Sequence, residues 1–370
     1  MSVTGPSRDG TGLIVLPCAA DPLVSIVIPT TSQAAKLRRC LQSLARNLGS
    51  QIPVEVIVVM NAATDEIKSV MHQEVSGALV SGSPANLGVA GGNNRGRSLA
   101  RGRYIALLHD DTEIEPLWLE PLVETAEARP DAGAVASMVL HPNGRLQDAG
   151  CILWREAITS PVWGSGEGRP EDFITTRAVD YSGTCSILVR ADTWDSIGGL
   201  DERLYPAYYV DVDLCMAIRK QGQIVLCDPR SRLLHHRSSS SKPGFRHFIA
   251  ETNKILFAEK WKAELADCES YAPDDPEAVQ RARAHTEHVA SILSDHWRAP
   301  STGPSPKAAL DPAKQDAWHM QKERELTAAY IETLEQCIRL KQKLDASNQR
   351  KPLKWHRRLI RRVKGIWRSP

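Results

Sequence analysis

Two acidic centres and a histidine pair are the residues whose types and spacing point to chemistry. Residues 104–116 read YIALLHDDTEIEP, a short apolar run that leads straight into Asp110 and Asp111. Adjacent carboxylates at the mouth of a buried strand repel each other and lose hydration, so a cation or a set of donors must compensate them. Hard oxygen ligands of this kind suit Mg²⁺ or Mn²⁺, ions that commonly also hold substrate phosphates. The alternative is a solvated loop in which Asp111 or Thr112 caps a helix beginning near Pro116.

A second acidic centre lies in LYPAYYVDVDLC, residues 204–215, where Asp211 and Asp213 fall at the start of a helix. Helix capping and the helix dipole account for two such acids. So does a general base that takes a proton from a hydroxyl, with Tyr205, Tyr208 and Tyr209 offering a face for a sugar. In LLHHRSSSS, residues 233–241, a histidine at a strand end either completes a metal shell or makes a structural hydrogen bond. The glycine-rich NLGVAGGNNRG, residues 86–96, does not follow the first strand of a βαβ unit, which removes the dinucleotide fingerprint. Its glycines allow close backbone approach, and Asn93 and Asn94 at a helix start suit a nucleotide or pyrophosphate; a glycine turn with a cap is the other reading.

The elements that must position these residues follow from apolar periodicity. Strands are expected at residues 23–29, 54–59, 78–80 and 104–108, separated by helices at 34–48, 65–74 and 94–101. Short buried strands alternating with helices predict a doubly wound, mostly parallel α/β sheet. Ligands bind such sheets at the carboxyl ends of the strands, where Pro29, Thr30, Asn61, Asp110 and Asp111 all fall. Residues 132–234 read as an α+β half, with strands at 134–139, 152–154, 184–189 and 224–226 and a helix at 212–221 that stops at Gly222. Further helices are expected at 248–261, 277–297 and 318–347. This divides the chain into a disordered N-terminus at 1–21, a main domain at 22–265, a linker with a helix at 266–311, a charged helix or short coiled coil at 312–348 and a basic amphipathic tail at 349–370.

The 370 residues carry a formal charge of +2, with nine Lys/Arg and no acid in residues 350–370, so the body is mildly acidic. An acidic body with a separate basic tail is not a nucleic-acid domain. The eight scattered cysteines form no CxxC pair and read as reduced thiols of a cytoplasmic protein. No apolar run is long enough to span a bilayer. The tail places Leu359, Ile360, Val363, Ile366 and Trp367 against a basic face, the pattern of a helix lying on an anionic membrane surface; a solvated or RNA-adhesive tail is the alternative. Leu326, Tyr330, Ile331, Leu334, Ile338 and Leu344 form an imperfect stripe that leaves homo-oligomerisation through 318–347 open.

The ordered blocks SIVIPT (25–30), EVIVVMN (55–61), NLGVAGGNNRG, HDDT (109–112), GLDERLYPAYYVDVDLC (199–215) and LLHH together resemble the inverting family 2 glycosyltransferases of the GT-A fold. The resemblance covers about residues 22–242. It implies transfer of a sugar from a nucleoside diphosphate donor to a hydroxyl of a glycan or lipid-linked acceptor, with Mn²⁺ or Mg²⁺ on the diphosphate. Position by position, Pro29, Thr30, Asn61, Asn86, Gly88, Asn93 and Asp110 would line the nucleotide sugar. Asp111 and His235 would hold the metal, with His236 the competing histidine, and Asp211 would be the catalytic base. The GGNN and PAYY variants resemble enzymes that build bacterial surface polysaccharides, rhamnosyltransferases among them, which implies work on the inner face of the cell membrane. Two positions depart from the family pattern: Met60 replaces an acid before Asn61, and Val210 replaces the acid before Asp211. Those losses feed the rival expectation of a catalytically silent scaffold docked at the membrane.

Overall fold

A computed structural model describes residues 12–237, 242–298 and 310–347. The first half contains β1 (Ile14–Val15), β2 (Val24–Thr30), α1 (Ala34–Asn47), β3 (Val54–Asn61), α2 (Asp65–Gln73), β4 (Val75–Ser76), β5 (Ala78–Ser83), α3 (Gly88–Leu99) and β6 (Tyr104–Leu108). The second half adds β7 (Thr112–Ile114), α4 (Leu119–Ala128), β8 (Ala132–Leu140), β9 (Leu146–Asp148), β10 (Cys151–Leu153), β11 (Thr159–Pro161), β12 (Arg177–Ala178), β13 (Ser186–Arg190), α5 (Ala191–Ser196), α6 (Val210–Lys220) and β14 (Ile224–His235). Helices α7 (Pro243–Lys260), α8 (Lys262–Leu265), α9 (Pro276–His296) and α10 (Pro312–Ser347) follow.

One mixed sheet runs β12-β14-β8-β13-β6-β2-β3-β5, parallel from β6 through β5 and between β14 and β8, with β13 antiparallel to both neighbours. Strands buried on both faces are near-continuous apolar runs, as β6 is. Strands β2 and β3 follow the rule except at their ends and at Ser25 and Glu55, which bond each other, with Glu55 also paired to Arg101. Their side chains alternate between two cores: Val27, Ile57, Val59 and Leu107 on one face, Ile26, Ile28, Val58 and Leu108 on the other. Helix α1 buries Leu37, Leu41 and Leu44 at helical spacing against the second face.

Helix α3 packs by a different rule. The sequence pattern predicts a helix from Asn94, and the helix begins earlier, at Gly88, although glycine is a poor helix former. Its glycines let the helix backbone press against the sheet: a Cβ on Gly92 would meet Pro29 Cβ at 3.0 Å, and one on Gly96 would meet Val27 Cγ1 at 2.1 Å. The close approach read from this segment is therefore made, at these two positions, to the protein's own β2.

The expected disorder of residues 1–21 needs correction where the structure describes them, because Ile14 and Leu16 are buried and β1 pairs with β4. The strand expected at 224–226 extends to His235 through an irregular stretch near Asp228–Arg232, and its end pairs antiparallel with the unexpected short strand β7. The helix expected near Pro116 starts later, at Leu119, because β7 takes up the preceding residues.

Helix α9 is more than a linker segment, since Ala278, Val279, Ala282 and Ala290 are buried and Thr286 Oγ1 donates to Asp180. Helix α10 docks its first turns on α3: Arg95 pairs with Asp316 at 2.8 Å, and His319 is fully buried beside Tyr205. Further along, Tyr330 packs on Phe245 and Phe248 of α7. The side chain of Leu344 and the whole tail at 349–370 lie outside what the structure describes. No described helix is long and apolar enough to cross a membrane.

Candidate active site

The parallel strands β2, β3 and β6 deliver Thr30, Asn61 and the His109–Asp111 turn to one edge of the sheet. Thr30 Oγ1 donates to Asp110 Oδ2 at 2.6 Å, tying the ends of β2 and β6 together. Burial is the main cause that raises the Asp110 carboxyl to about 6; the Thr30 bond opposes it and the neighbouring Asp111 adds to it. Thr112 Oγ1 donates to the His109 carbonyl at 2.7 Å, which closes the acidic turn and leads it into β7.

Pairing of β7 with β14 sets Thr112 opposite His235. His235 Nε2 consequently lies 3.2 Å from Asp111 Oδ1. One ligand atom each from His109, Asp111 and His235 falls within 4.8 Å of the others, a cluster that could hold a metal ion. His109 is the member that the sequence reading missed, although it stands beside the quoted aspartates. His236 is set apart: its Nε2 lies 2.6 Å from Glu113, and its backbone N–H donates to the Asp111 carbonyl.

Gln147, in β9, orients His235. Its Nε2 lies 2.7 Å from His235 Nδ1, and its Oε1 is buried with no partner among the described residues. Turning the amide over lets Oε1 accept the Nδ1 proton, which fixes the tautomer with a free Nε2 lone pair facing Asp111.

Asp211 stands in the first turn of α6, near the 183–185 segment. A Cβ on Gly183 would lie 3.6 Å from Asp148 Oδ2 and 3.9 Å from Asp211 Oδ2. Thr184 Oγ1 lies 3.5 Å from His109 Nε2, and the Cys185 carbonyl accepts from the His109 N–H. Burial and the combined field of Asp148, Asp111 and Asp211 hold the Cys185 thiol well above its ordinary range. This segment therefore touches the histidine–aspartate cluster through Thr184 and Cys185 and passes beside two desolvated acids at Gly183. Burial raises Asp211 to about 6, with the Val212 N–H opposing and Asp148 reinforcing the shift.

The two acids of α6 have different surroundings. Asp213 accepts from Lys260 and from the Trp261 indole, which pins α7 to α6. Asp211 accepts only the neighbouring Val212 N–H among the described bonds. Just ahead of it, Tyr208 and Tyr209 both adopt positive φ, at 71° and 64°, a region costly for bulky side chains. Asn253 holds that turn by donating to the carbonyls of Ala207 and Tyr208. Tyr205 and Tyr209 are engaged with His319 and Phe257, which leaves Tyr208 as the exposed ring.

Several residues expected to line a nucleotide sugar are engaged with the protein itself. Asn61 donates to the Gly88 carbonyl and accepts from the Leu87 N–H, so it shapes the 86–88 loop. Asn86 accepts from the Gly88 N–H, and Gly88 takes φ of 64° with the Pro206 carbonyl 2.5 Å from where its Cβ would be. Asn93 donates to the Val89 carbonyl while its buried Oδ1 has no partner among the described residues. Pro29 carries the packing of Gly92. Sequence reading also missed Asp148, which accepts from the Gly150 and Gly183 N–H groups and whose pKa burial raises, and Arg237, whose charge opposes that rise and reinforces the lowering of His141 by burial.

The sheet order, the acidic turn at the end of β6 and the acid on α6 define a GT-A type glycosyltransferase fold. Its solved neighbours include GalNAc-T7, crystallised with UDP, GalNAc and Mn²⁺, at a TM-score of 0.52 and 14% identity over 76% of this chain and 59% of that one. Residues 25–195 match the family model "Glycosyl transferase family 2", and the chain carries a domain of that family. The matched stretch contains His109, Asp111 and Asp148 but ends before Asp211 and His235.

The O-antigen biosynthesis protein RfbC of Myxococcus xanthus is 32% identical over 238 residues, 61% of this chain and 18% of RfbC. The N-acetylglucosaminyl-diphospho-decaprenol L-rhamnosyltransferase of Mycobacterium tuberculosis is 26% identical over 66% of this chain and 88% of its own length. The chain spans a quarter or less of the length of two of the curated relatives it matches.

Proposed function

We propose that the chain is an inverting, metal-dependent glycosyltransferase that moves a sugar from a nucleoside diphosphate to a hydroxyl of a surface glycan or its lipid-linked precursor. The observation that carries the reading is that one short segment, 183–185, touches the His109–Asp111–His235 cluster and also passes beside the Asp211 carboxylate.

Two imidazoles and a carboxylate make a donor set more congenial to Mn²⁺ than to Mg²⁺, which prefers oxygen ligands alone. A divalent ion held there would neutralise charge on the departing diphosphate. Asp110, tied to Thr30, closes the floor beneath the donor. Asp211 takes the proton of the acceptor hydroxyl as its oxygen attacks the anomeric carbon, and the nucleoside diphosphate leaves from the opposite face. That single displacement inverts the anomeric configuration.

The named activities of the Myxococcus and Mycobacterium relatives support a bacterial surface polysaccharide, with rhamnose the first donor sugar to try. The basic amphipathic pattern of residues 349–370 supports work at the inner membrane face. Deleting residues 351–370 should then weaken sedimentation with anionic liposomes, and equal sedimentation would remove the anchor.

The test is a titration of UDP-, GDP- and dTDP-sugars with and without Mn²⁺, read by thermal shift and by product formation. Metal-dependent binding that vanishes in Asp111→Ala, and transfer that vanishes in Asp211→Asn with binding intact, establish the reading. Absence of turnover with every donor would instead favour the silent scaffold that Met60 and Val210 raise.

A further inference from the structure

A cavity of about 840 Å³ lies away from the acidic turn, between β10–β12 and α9, with Trp163, Phe173, Arg177 and Arg283 in its wall. The Arg177 guanidinium sits 4.7 Å from the centre of the Phe173 ring and that of Arg283 sits 6.0 Å from it. Two cations thus share one aromatic platform. Neither has a carboxylate within ion-pair distance among the described residues, and the only hydrogen bond of Arg177 is from Nη1 to the Ala149 carbonyl at 3.3 Å.

Three of the five acids around the same wall are engaged elsewhere, while the exposed Asp274 and Glu287 also line it without an ion pair among the described residues. Asp172 pairs with Arg169, Glu167 with Arg145, and Asp180 with Arg219 and Thr286. Burial lowers the pKa of Arg177 and the charge of Arg283 adds to that effect, with Cys227 and the carboxylate of Glu287 opposing it. A half-buried guanidinium with no carboxylate in ion-pair contact, facing a large cavity with two aromatic rings, is the chemistry of a site for a sugar that bears a negative group. Trp163, the less buried of the two rings, would cover the apolar side of a pyranose, and the guanidinium fork would take a phosphate or carboxylate.

The cavity is also tied to the reaction side of the molecule. Its wall includes Cys151, whose thiol lies in the field of both Asp148 and Asp211, and Arg177 is bonded to the residue that follows Asp148. We propose that this cavity is an acceptor subsite that binds an anionic sugar, phosphorylated or uronate, remote from the hydroxyl that reacts. Naming the occupant as acceptor rests on the glycosyltransferase reading; the anionic sugar site itself does not.

The experiment is ligand-observed NMR titration of the full chain at low salt with glucose 1-phosphate, glucuronate, inorganic phosphate and neutral glucose. At least one anionic sugar should bind tenfold or more tighter than glucose, and the stronger of the two identifies the charged group. Arg177→Gln and, separately, the exposed Arg283→Gln should each weaken that binding about tenfold, with Arg177→Lys retaining most of it. Should Arg177→Gln fail to fold, Arg283→Gln and Arg177→Lys still decide the matter.

Asp111→Ala should keep the anionic sugar while losing metal-dependent donor binding, so failure of the donor site and failure of this site are read separately. Binding of both anionic sugars no tighter than glucose, binding untouched by the arginine variants, or inorganic phosphate as good as the sugars would each overturn the proposal.

Discussion

His235 Nε2 stands 3.2 Å from Asp111 Oδ1, although 124 positions separate the two residues. The distance follows from the register of β7 on β14, which pairs Thr112 with His235, and from the turn that returns Asp111 alongside. The same register sends His236 to Glu113. Asp111→Ala and His235→Ala should therefore abolish the Mn²⁺-dependent thermal shift, and His109→Ala should weaken it strongly. His236→Ala should change the Mn²⁺ midpoint by less than about threefold. Equal losses in His235→Ala and His236→Ala would contradict the assignment.

Gln147 supplies a second, independent check on the cluster. Partners of a metal-bound imidazole typically change affinity about 10- to 100-fold when removed. Gln147→Ala should raise the Mn²⁺ concentration at half-effect by that order, and Gln147→Glu, which can still accept the Nδ1 proton, should recover much of it. Mn²⁺ titration followed by electron paramagnetic resonance measures both.

Asp211 gives a pH prediction with a definite sign. Its folded pKa of about 6 lies above the ordinary 3.8, so the protonated form is favoured in the fold. The carboxyl's contribution to stability is complete below about 3.8 and is lost as pH rises through about 6. At pH 7.5 Asp211→Asn, which removes the buried charge, should stabilise the protein by on the order of 2–3 kcal/mol, and at pH 3.5 the gain should vanish. Transfer needs the ionised carboxylate, so the rate should rise through pH about 6 in the native protein. Asp211→Asn should lose at least about 100-fold in rate. Paired melting curves and pH–rate profiles decide it.

The central sheet and much of the site were legible in the chain because buried parallel strands are written as plain apolar runs. Thr30, Asn61 and Asp110–Asp111 fall at the ends of those runs, as the rule for ligands at strand carboxyl ends requires. What escaped the sequence depends on register and on contacts between distant segments. The partnership of His109 with His235 needs the β7–β14 pairing, and β7 is too short for its three residues to show a pattern. Asp148 lies in a three-residue strand and looks like any loop acid until Gly183 folds against it. The glycines of α3 carried an ambiguous message, since close approach to a ligand and close approach to β2 require the same residue.

That packing makes its own prediction. A methyl at position 96 would lie 2.1 Å from Val27 Cγ1, so helix and strand must separate. Gly96→Ala should cost on the order of 3 kcal/mol, at or beyond the upper end of ordinary overpacking, while Gly92→Ala, at 3.0 Å from Pro29 Cβ, should cost less. Chemical denaturation should rank the variants in that order. The reverse ranking would mean that α3 does not seat on β2 as described.

Helix α10 offers the last test, because it makes the C-terminal region part of the domain's own structure. Arg95 of α3 has a side chain only 4% exposed, and it pairs with Asp316 at 2.8 Å while also bonding Gln315 Oε1 and the carbonyls of Gly82 and Pro312. Breaking a buried pair from one side leaves an uncompensated charge, which typically costs 3–5 kcal/mol. Asp316→Ala should fall near the lower end, about 3 kcal/mol, since the neutral acceptors remain. Replacing both partners, as Arg95→Met with Asp316→Leu, should recover most of the loss because no charge is then stranded. A double variant as unstable as Asp316→Ala alone would show that the neutral bonds, rather than the ion pair, fasten α10 to α3.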